Sequence, residues 1–124
     1  MKRAQVPLAA LLLAGTLAAS VAGAASLGWM KGDTASFFTD RDWQLVAETL
    51  AATLDTAADG EGLDWVNDKS GARGRMTVLG SESRDDVTCR RLRVESTAKG
   101  SSSSHQYRFC RRAGGDWALG QPPP

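Results

Sequence analysis

Cys89 and Cys110 are the only cysteines in this chain of 124 residues, and an arginine follows each of them. They stand 21 positions apart, on either side of a Lys99-Gly100-Ser101 run that can turn. The chain also opens with an export pattern, so both thiols are expected to meet an oxidising compartment. Together these features predict one architecture: a β-hairpin closed by a Cys89–Cys110 disulfide, with arginines on its surface.

The export pattern is read from Lys2 and Arg3, followed by an uncharged run from Ala4 to Met30. Ala22-Gly23-Ala24 is a small-residue cleavage site of the Ala-x-Ala type. Residues 1–24 are therefore expected as a signal peptide cut after Ala24, with Ala25 as the second choice. The competing reading keeps the segment as an anchor, since its 27 uncharged residues are enough to span about 30 Å of hydrocarbon. The rest of the chain amounts to one small domain. Without Lys2 and Arg3 it carries 13 Lys and Arg against 14 Asp and Glu. The charges are segregated: Asp33 to Asp68 holds nine acids and one base, and Arg84 to Arg112 holds eight bases and three acids. A bipolar domain of near-zero net charge argues against a dedicated nucleic-acid binder.

Along the chain, residues 25–38 show no periodicity and read as a linker, and residues 39–120 read as the folded domain. Thr39 is a good N-cap, with Asp40 and Asp42 in the first turn. Trp43, Val46, Ala47, Leu50 and Leu54 recur at helical spacing and predict a helix from Asp40 to Ala57, with Phe38 placed to staple onto Trp43. The pattern then turns to β. Strands are expected around Leu63–Val66, Gly74–Leu79, Val87–Thr97, His105–Arg112 and Trp117–Leu119, separated by polar or glycine turns at Asn67–Gly71, Ser81–Asp86 and Ala113–Gly115. Ser101–Ser104 reads as a flexible loop tip. Pro122, Pro123 and Pro124 close a tail, residues 121–124, expected to be disordered. One helix followed by successive hairpins predicts an α+β fold, the helix on one face of an antiparallel sheet of four to five strands.

With the hairpin symmetric about Lys99 and Gly100, Cys89 stands opposite Cys110, Leu92 opposite Tyr107 and Val94 opposite His105. Strand side chains alternate between faces. Leu92, Val94, Tyr107 and Phe109 then form the core face. Cys89, Arg91, Arg93, Arg108, Cys110 and Arg112 share the opposite one. Arg91 against Arg108 places like charges across a sheet, which is destabilising without an anion, an acid or solvent; Asp64, Asp68 and Asp116 are the acids expected nearby.

The ordered set Trp65-x-Asn67-x-x-Ser70-Gly71-x-x-Gly74, Cys89-Arg90, Cys110-Arg111 and Gly115-Asp116-Trp117 resembles the C-terminal domain of the bacterial seventeen-kilodalton surface antigens, over roughly Leu45 to Leu119. The resemblance implies a cell-envelope or outer-membrane-associated protein with no catalytic residues to carry over. It also implies structural roles for Trp65, Asn67, Gly71, Gly74, Arg90, Arg111 and Trp117. Family members often carry a lipid-anchoring cysteine after the signal and a glycine-rich segment before the domain. This sequence shows neither, which favours a soluble periplasmic or inner-membrane-anchored form.

Catalytic constellations are scarce. His105 is the only histidine, which excludes a metal site with two histidines from one chain. There is no Cys-x-x-Cys motif, and a structural disulfide outweighs a Cys–His catalytic pair. Asp85-Asp86 reads as a solvated turn, and Asp55, Asp59, Glu61 and Asp64 lack calcium-loop spacing. Trp43, Trp65 and Trp117 read as core; Trp29 reads as a linker residue or an interfacial anchor. No enzyme activity, metal or cofactor is therefore expected. Arg91, Arg93, Arg108 and Arg112 are the candidate anion- or partner-binding residues, suited to an anionic lipid, lipopolysaccharide or an acidic protein. The expected function is an exported envelope protein with a binding or structural role. The alternative is a periplasmic inhibitor or adaptor that engages an acidic protein through the Cys89–Cys110 hairpin.

Overall fold

The computed structural model describes residues 24–30 and 32–120. All but the last residue of the segment 1–24 expected as a signal peptide, and the tail 121–124 expected to be disordered, lie outside the described residues. Two 3-10 turns, Ala24–Trp29 and Thr34–Phe37, lead into one helix, α1 (Asp40–Thr56). Beyond it come five strands: β1 (Gly62–Val66), β2 (Arg73–Arg84), β3 (Val87–Ala98), β4 (Ser101–Arg112) and β5 (Ala118–Leu119). They form a single antiparallel sheet in the order β1-β2-β3-β4-β5, so every connection joins neighbours. No helix among the described residues is long and apolar enough to cross a membrane.

The expected hairpin is present in the expected register. Cys89 pairs with Cys110, Leu92 with Tyr107 and Val94 with His105. The turn is only Lys99-Gly100, with φ of 52° and 76°. Both central residues are left-handed, which matches the turn to the twist of the strands; glycine takes the second position without a Cβ penalty. The disulfide joins Cα atoms 4.0 Å apart, so it staples a pair already adjacent in the ladder.

α1 begins with a reciprocal capping box. Asp42 N donates to Thr39 Oγ1 at 3.1 Å, and Thr39 N donates to Asp42 Oδ2 at 2.9 Å. Phe38 packs edge-on against Trp43, their centroids 5.1 Å apart, and also against Trp65 at 5.4 Å. Val46, Leu50 and Leu54 bury the inner stripe against Trp65, Met76, Val78, Leu92 and Val94. The helix covers β1 and β2.

The other half of that sheet face is covered by the stretch expected as a linker. Its described residues pack onto the fold: Leu27 and Thr34 are buried, and Thr34 Oγ1 lies 2.7 Å from Ser101 Oγ. Trp29 stacks edge-on against Tyr107 and Phe109, with centroids 4.5 and 5.2 Å apart. These contacts have no sequence period, because a 3-10 turn laid across a sheet repeats nothing. Two turns are also shorter than expected. Ser101–Ser104 is strand rather than loop tip, since the two-residue turn leaves the serines in register with Glu95 to Ala98. The second strand runs on through Ser81 to Arg84, and only Asp85-Asp86 turns. A bulge between Val78 and Gly80 shifts the register there. Beyond it β2 reads Gly80-Ser81-Glu82-Ser83-Arg84, which has no apolar residue to mark the strand.

Closing this hairpin should stabilise the domain by about 3 kcal/mol in the chain-entropy account. Urea denaturation of the Cys89→Ala/Cys110→Ala variant should show that loss. Reductant should shift the wild-type midpoint by a similar amount and leave the variant's unmoved.

Candidate functional site

The residue after each cysteine points to the helix side, and there the motif residues gather. Arg90 reaches under the C-terminus of α1. Its Nη1 donates to Leu54 O at 2.7 Å and Thr53 O at 3.2 Å, and its Nη2 donates to Ala57 O. Its Nε donates to Ser81 Oγ at 2.9 Å, and Asp59 lies 3.6 Å from Nη2. α1 has no basic residue in its own last turn, so a strand supplies the cation that its terminal carbonyls need. Arg111 sits 3.5 Å from Asp55 and stacks over the Trp117 ring at 4.6 Å. Trp117 Nε1 donates to the same Asp55 at 2.8 Å. The segment after β4 is thus tied back to the last turn of the helix.

The N-terminus of α1 is held just as closely. Asn67 Nδ2 and Ser70 Oγ each donate to Asp42 Oδ1 at 2.7 Å. Asn67 and Gly71, with φ of 77°, shape the β1–β2 turn that aims these donors. Asp42 is fully buried. Burial alone would raise its pKa. The hydrogen bonds from Thr39, Ser70 and Asn67 outweigh that and hold the carboxyl below its ordinary value of 3.8. Trp65 lies over Gly74, where a Cβ would collide with the indole. Trp65, Asn67, Gly71, Gly74, Arg90, Arg111 and Trp117 therefore all serve the joint between helix and sheet. Only the acid-cap role of Asp42 is visible in the sequence; its contacts to Asn67 and Ser70 span 25 and 28 residues.

The opposite face carries the disulfide and the four candidate arginines. Arg91 is paired directly with Arg108 across β3 and β4. On the outer side of each lies a glycine. Gly80 is the β2 partner of Arg91, and Gly120 N donates to Arg108 O at 2.6 Å beyond β5. A Cβ on Gly80 would stand 3.1 Å from Arg91 Nη2, and one on Gly120 would stand 3.3 Å from Arg108 Nη1. The two guanidiniums lie outward over the glycines, which separates like charges that the ladder places side by side. Arg93 Nε is 4.0 Å from Glu95, and Arg112 Nη1 is 3.4 Å from Asp86. Glu95 and Asp86 are thus the acids beside Arg93 and Arg112. Of those expected, Asp64 is bound to Arg75 toward the β1 edge, with Nη1 3.0 Å from both its oxygens.

This face has the exposed Arg73, Arg75, Arg84, Arg91 and Arg112, set against Asp64, Glu82 and Glu95. The acid-rich run supplies α1 and the loops beside it. The charge segregation of the sequence thus becomes a basic sheet face behind an acidic helix. Comparison with protein-family models, curated proteins and solved structures finds no match for this chain.

Two variants probe the joint. Arg90→Met should lower stability by about 2 kcal/mol, the scale of hydrogen bonds to a charged donor, as read by thermal and urea unfolding. Asp42→Asn should act through pH. A carboxyl with a depressed native pKa stabilises fully above its unfolded value near 3.8, and that contribution is lost as pH falls through the lower folded value. The wild type should therefore lose stability on acidification below about pH 4. The variant should start lower at neutral pH and show a flatter acid limb in urea titrations.

Proposed function

We propose that this chain is an exported cell-envelope protein with a non-enzymatic binding role, built like the surface-antigen domain its motifs resemble, and that its arginine face is the binding surface. One observation carries the reading: the two faces of the sheet divide their work. The motif residues are engaged in holding the helix. The arginines on the other face do not build the core, yet the sheet bears Arg91 opposite Arg108. Exposed Arg73, Arg75, Arg84, Arg91 and Arg112 outnumber Asp64, Glu82 and Glu95 there, so an anion meets a net basic face.

The partner this face suits is a phosphate-bearing lipid surface, including lipopolysaccharide. Guanidinium presents a planar fork that meets phosphate oxygens in pairs. The face is broad, and among the described residues its one exposed large hydrophobic is Val66, so adsorption would be electrostatic rather than by insertion. The export pattern and the disulfide both fit an oxidising compartment outside the cytoplasm.

Vesicle co-sedimentation tests this reading. The protein should bind phosphatidylglycerol vesicles, ignore phosphatidylcholine vesicles, and release as salt rises. Each arginine near such a surface contributes about 1 kcal/mol. Arg93 and Arg112 are partly neutralised by acids, so changing Arg91, Arg93, Arg108 and Arg112 to Ser should weaken partitioning by roughly thirtyfold or more. Unchanged vesicle binding by that variant would dispose of the lipid surface. A stoichiometric acidic protein recovered from periplasm in its place would support the adaptor reading.

A further inference from the structure

On the arginine-bearing side of the sheet, toward the Lys99-Gly100 turn and away from the disulfide, lies a cavity of 580 Å³. Two rows of side chains line it, each crossing four strands. The row nearer the turn is Val66, Arg73, Thr97 and Ser102; the next is Asp64, Arg75, Glu95 and Ser104. The floor is backbone at Trp65, Gly74, Ser96 and Ser103, residues of the opposite parity in each strand.

The rows differ in charge. In the first, Arg73 is exposed and makes no ion pair with a described residue. In the second, Asp64 already holds Arg75, and Glu95 has only the 4.0 Å contact with Arg93. The cavity therefore offers an open cation in one row and, in the other, a carboxylate, Glu95, held only by a 4.0 Å contact to Arg93. Rows two residues apart in a strand are separated by roughly 7 Å. Both rows also carry hydroxyls: Thr97 Oγ1 and Ser102 Oγ are 3.1 Å apart in the first, and Ser104 closes the second. β5 pairs only with Phe109 and Cys110, so the β4 edge at Ser102 and Ser104 has no strand beside it among the described residues. Val66, 58% exposed, gives an apolar rim.

We infer that this cavity binds a short zwitterionic peptide, with its α-carboxylate at Arg73 and its α-ammonium at Glu95. Two or three extended residues match the separation of the rows, at roughly 3.4 Å per residue. A free amino acid is too short to reach both ends. The hydroxyls suit the ligand's amide groups, and Val66 suits a small apolar side chain. The balance of Arg73 and Arg75 against Asp64 and Glu95 separates this cavity from the basic patch around the disulfide. The inference rests on the cavity and stands apart from the lipid-binding proposal.

The test is an NMR titration of the full, disulfide-bonded protein with trialanine, following backbone amides. Expected are saturable shifts centred on Arg73, Glu95, Ser102 and Ser104. N-acetyl-trialanine and trialanine amide should each bind roughly tenfold more weakly, the scale of one charge-assisted hydrogen bond. Arg73→Gln should erase the penalty for amidating the peptide. Glu95→Gln should erase the penalty for acetylating it. Both side chains lie on the open face, and an unchanged spectrum away from the cavity confirms that each variant is folded. Equal binding of free and capped peptides would overturn the inference, as would shifts that do not saturate or that centre elsewhere.

Discussion

The cross-strand pairing of Cys89 with Cys110 sets the aim of every side chain that gives this domain its shape. In a β-ladder, consecutive residues face opposite ways, and a slip of one position exchanges the faces. A bond between two residues directly opposed in β3 and β4 forbids that slip. The arginine after each cysteine is then committed to the helix side. Arg90 meets the open carbonyls of α1, and Arg111 meets Asp55 and Trp117. The repeated Cys-Arg pair is thus one device with two outputs: a staple on the outer face and a helix clamp on the inner.

The clamp answers a problem of size. A domain of roughly 100 residues buries a modest core, so a single helix on a sheet needs more than its apolar stripe to stay in place. Here both ends are held by polar contacts from distant strands. The buried Asp42 carboxylate takes the capping bonds of α1 together with Asn67 and Ser70 from the β1–β2 turn. At the far end, the guanidinium of Arg90 collects the last carbonyls. Each contact satisfies a group that would otherwise be buried without a partner, which makes these bonds costly to break one at a time. Trp29 and Thr34 extend the cover across β3 and β4, so the segment before α1 belongs to the same layer.

With the helix face occupied, the chemistry left available lies on the other side. That side has two regions of different character. Around the disulfide, opposed arginines splay over Gly80 and Gly120 and make a broad basic surface. Toward the hairpin turn, cations and carboxylates mix with hydroxyls around a cavity. The first is the region proposed to meet an extended anionic surface, and the second the region proposed to take a small ligand with charge at both ends. A sheet covered on one face only can offer both at once.

Much of this was legible in the residues because strand alternation and helical spacing are local rules. The helix from Asp40, the pairing of Cys89 with Cys110, the apolar row of Leu92, Val94, Tyr107 and Phe109, and the arginine row opposite are all found by counting along one segment or across one turn. The serine run Ser101–Ser104 defeated the same rules, since it has no apolar residue to reveal its parity. The second half of β2, Ser81 to Arg84, stayed hidden for the same reason, being polar throughout. What only the tertiary structure decided are the contacts between segments that share no period: Asp42 with Asn67 and Ser70, Arg90 with the end of α1, Trp29 with Tyr107, and Arg73 with Thr97 and Ser102 around one cavity. Local sequence specifies which way a side chain points within its own strand or helix. What it meets there depends on how the twisted sheet and the helix are placed in three dimensions, and that placement is settled by all the contacts together.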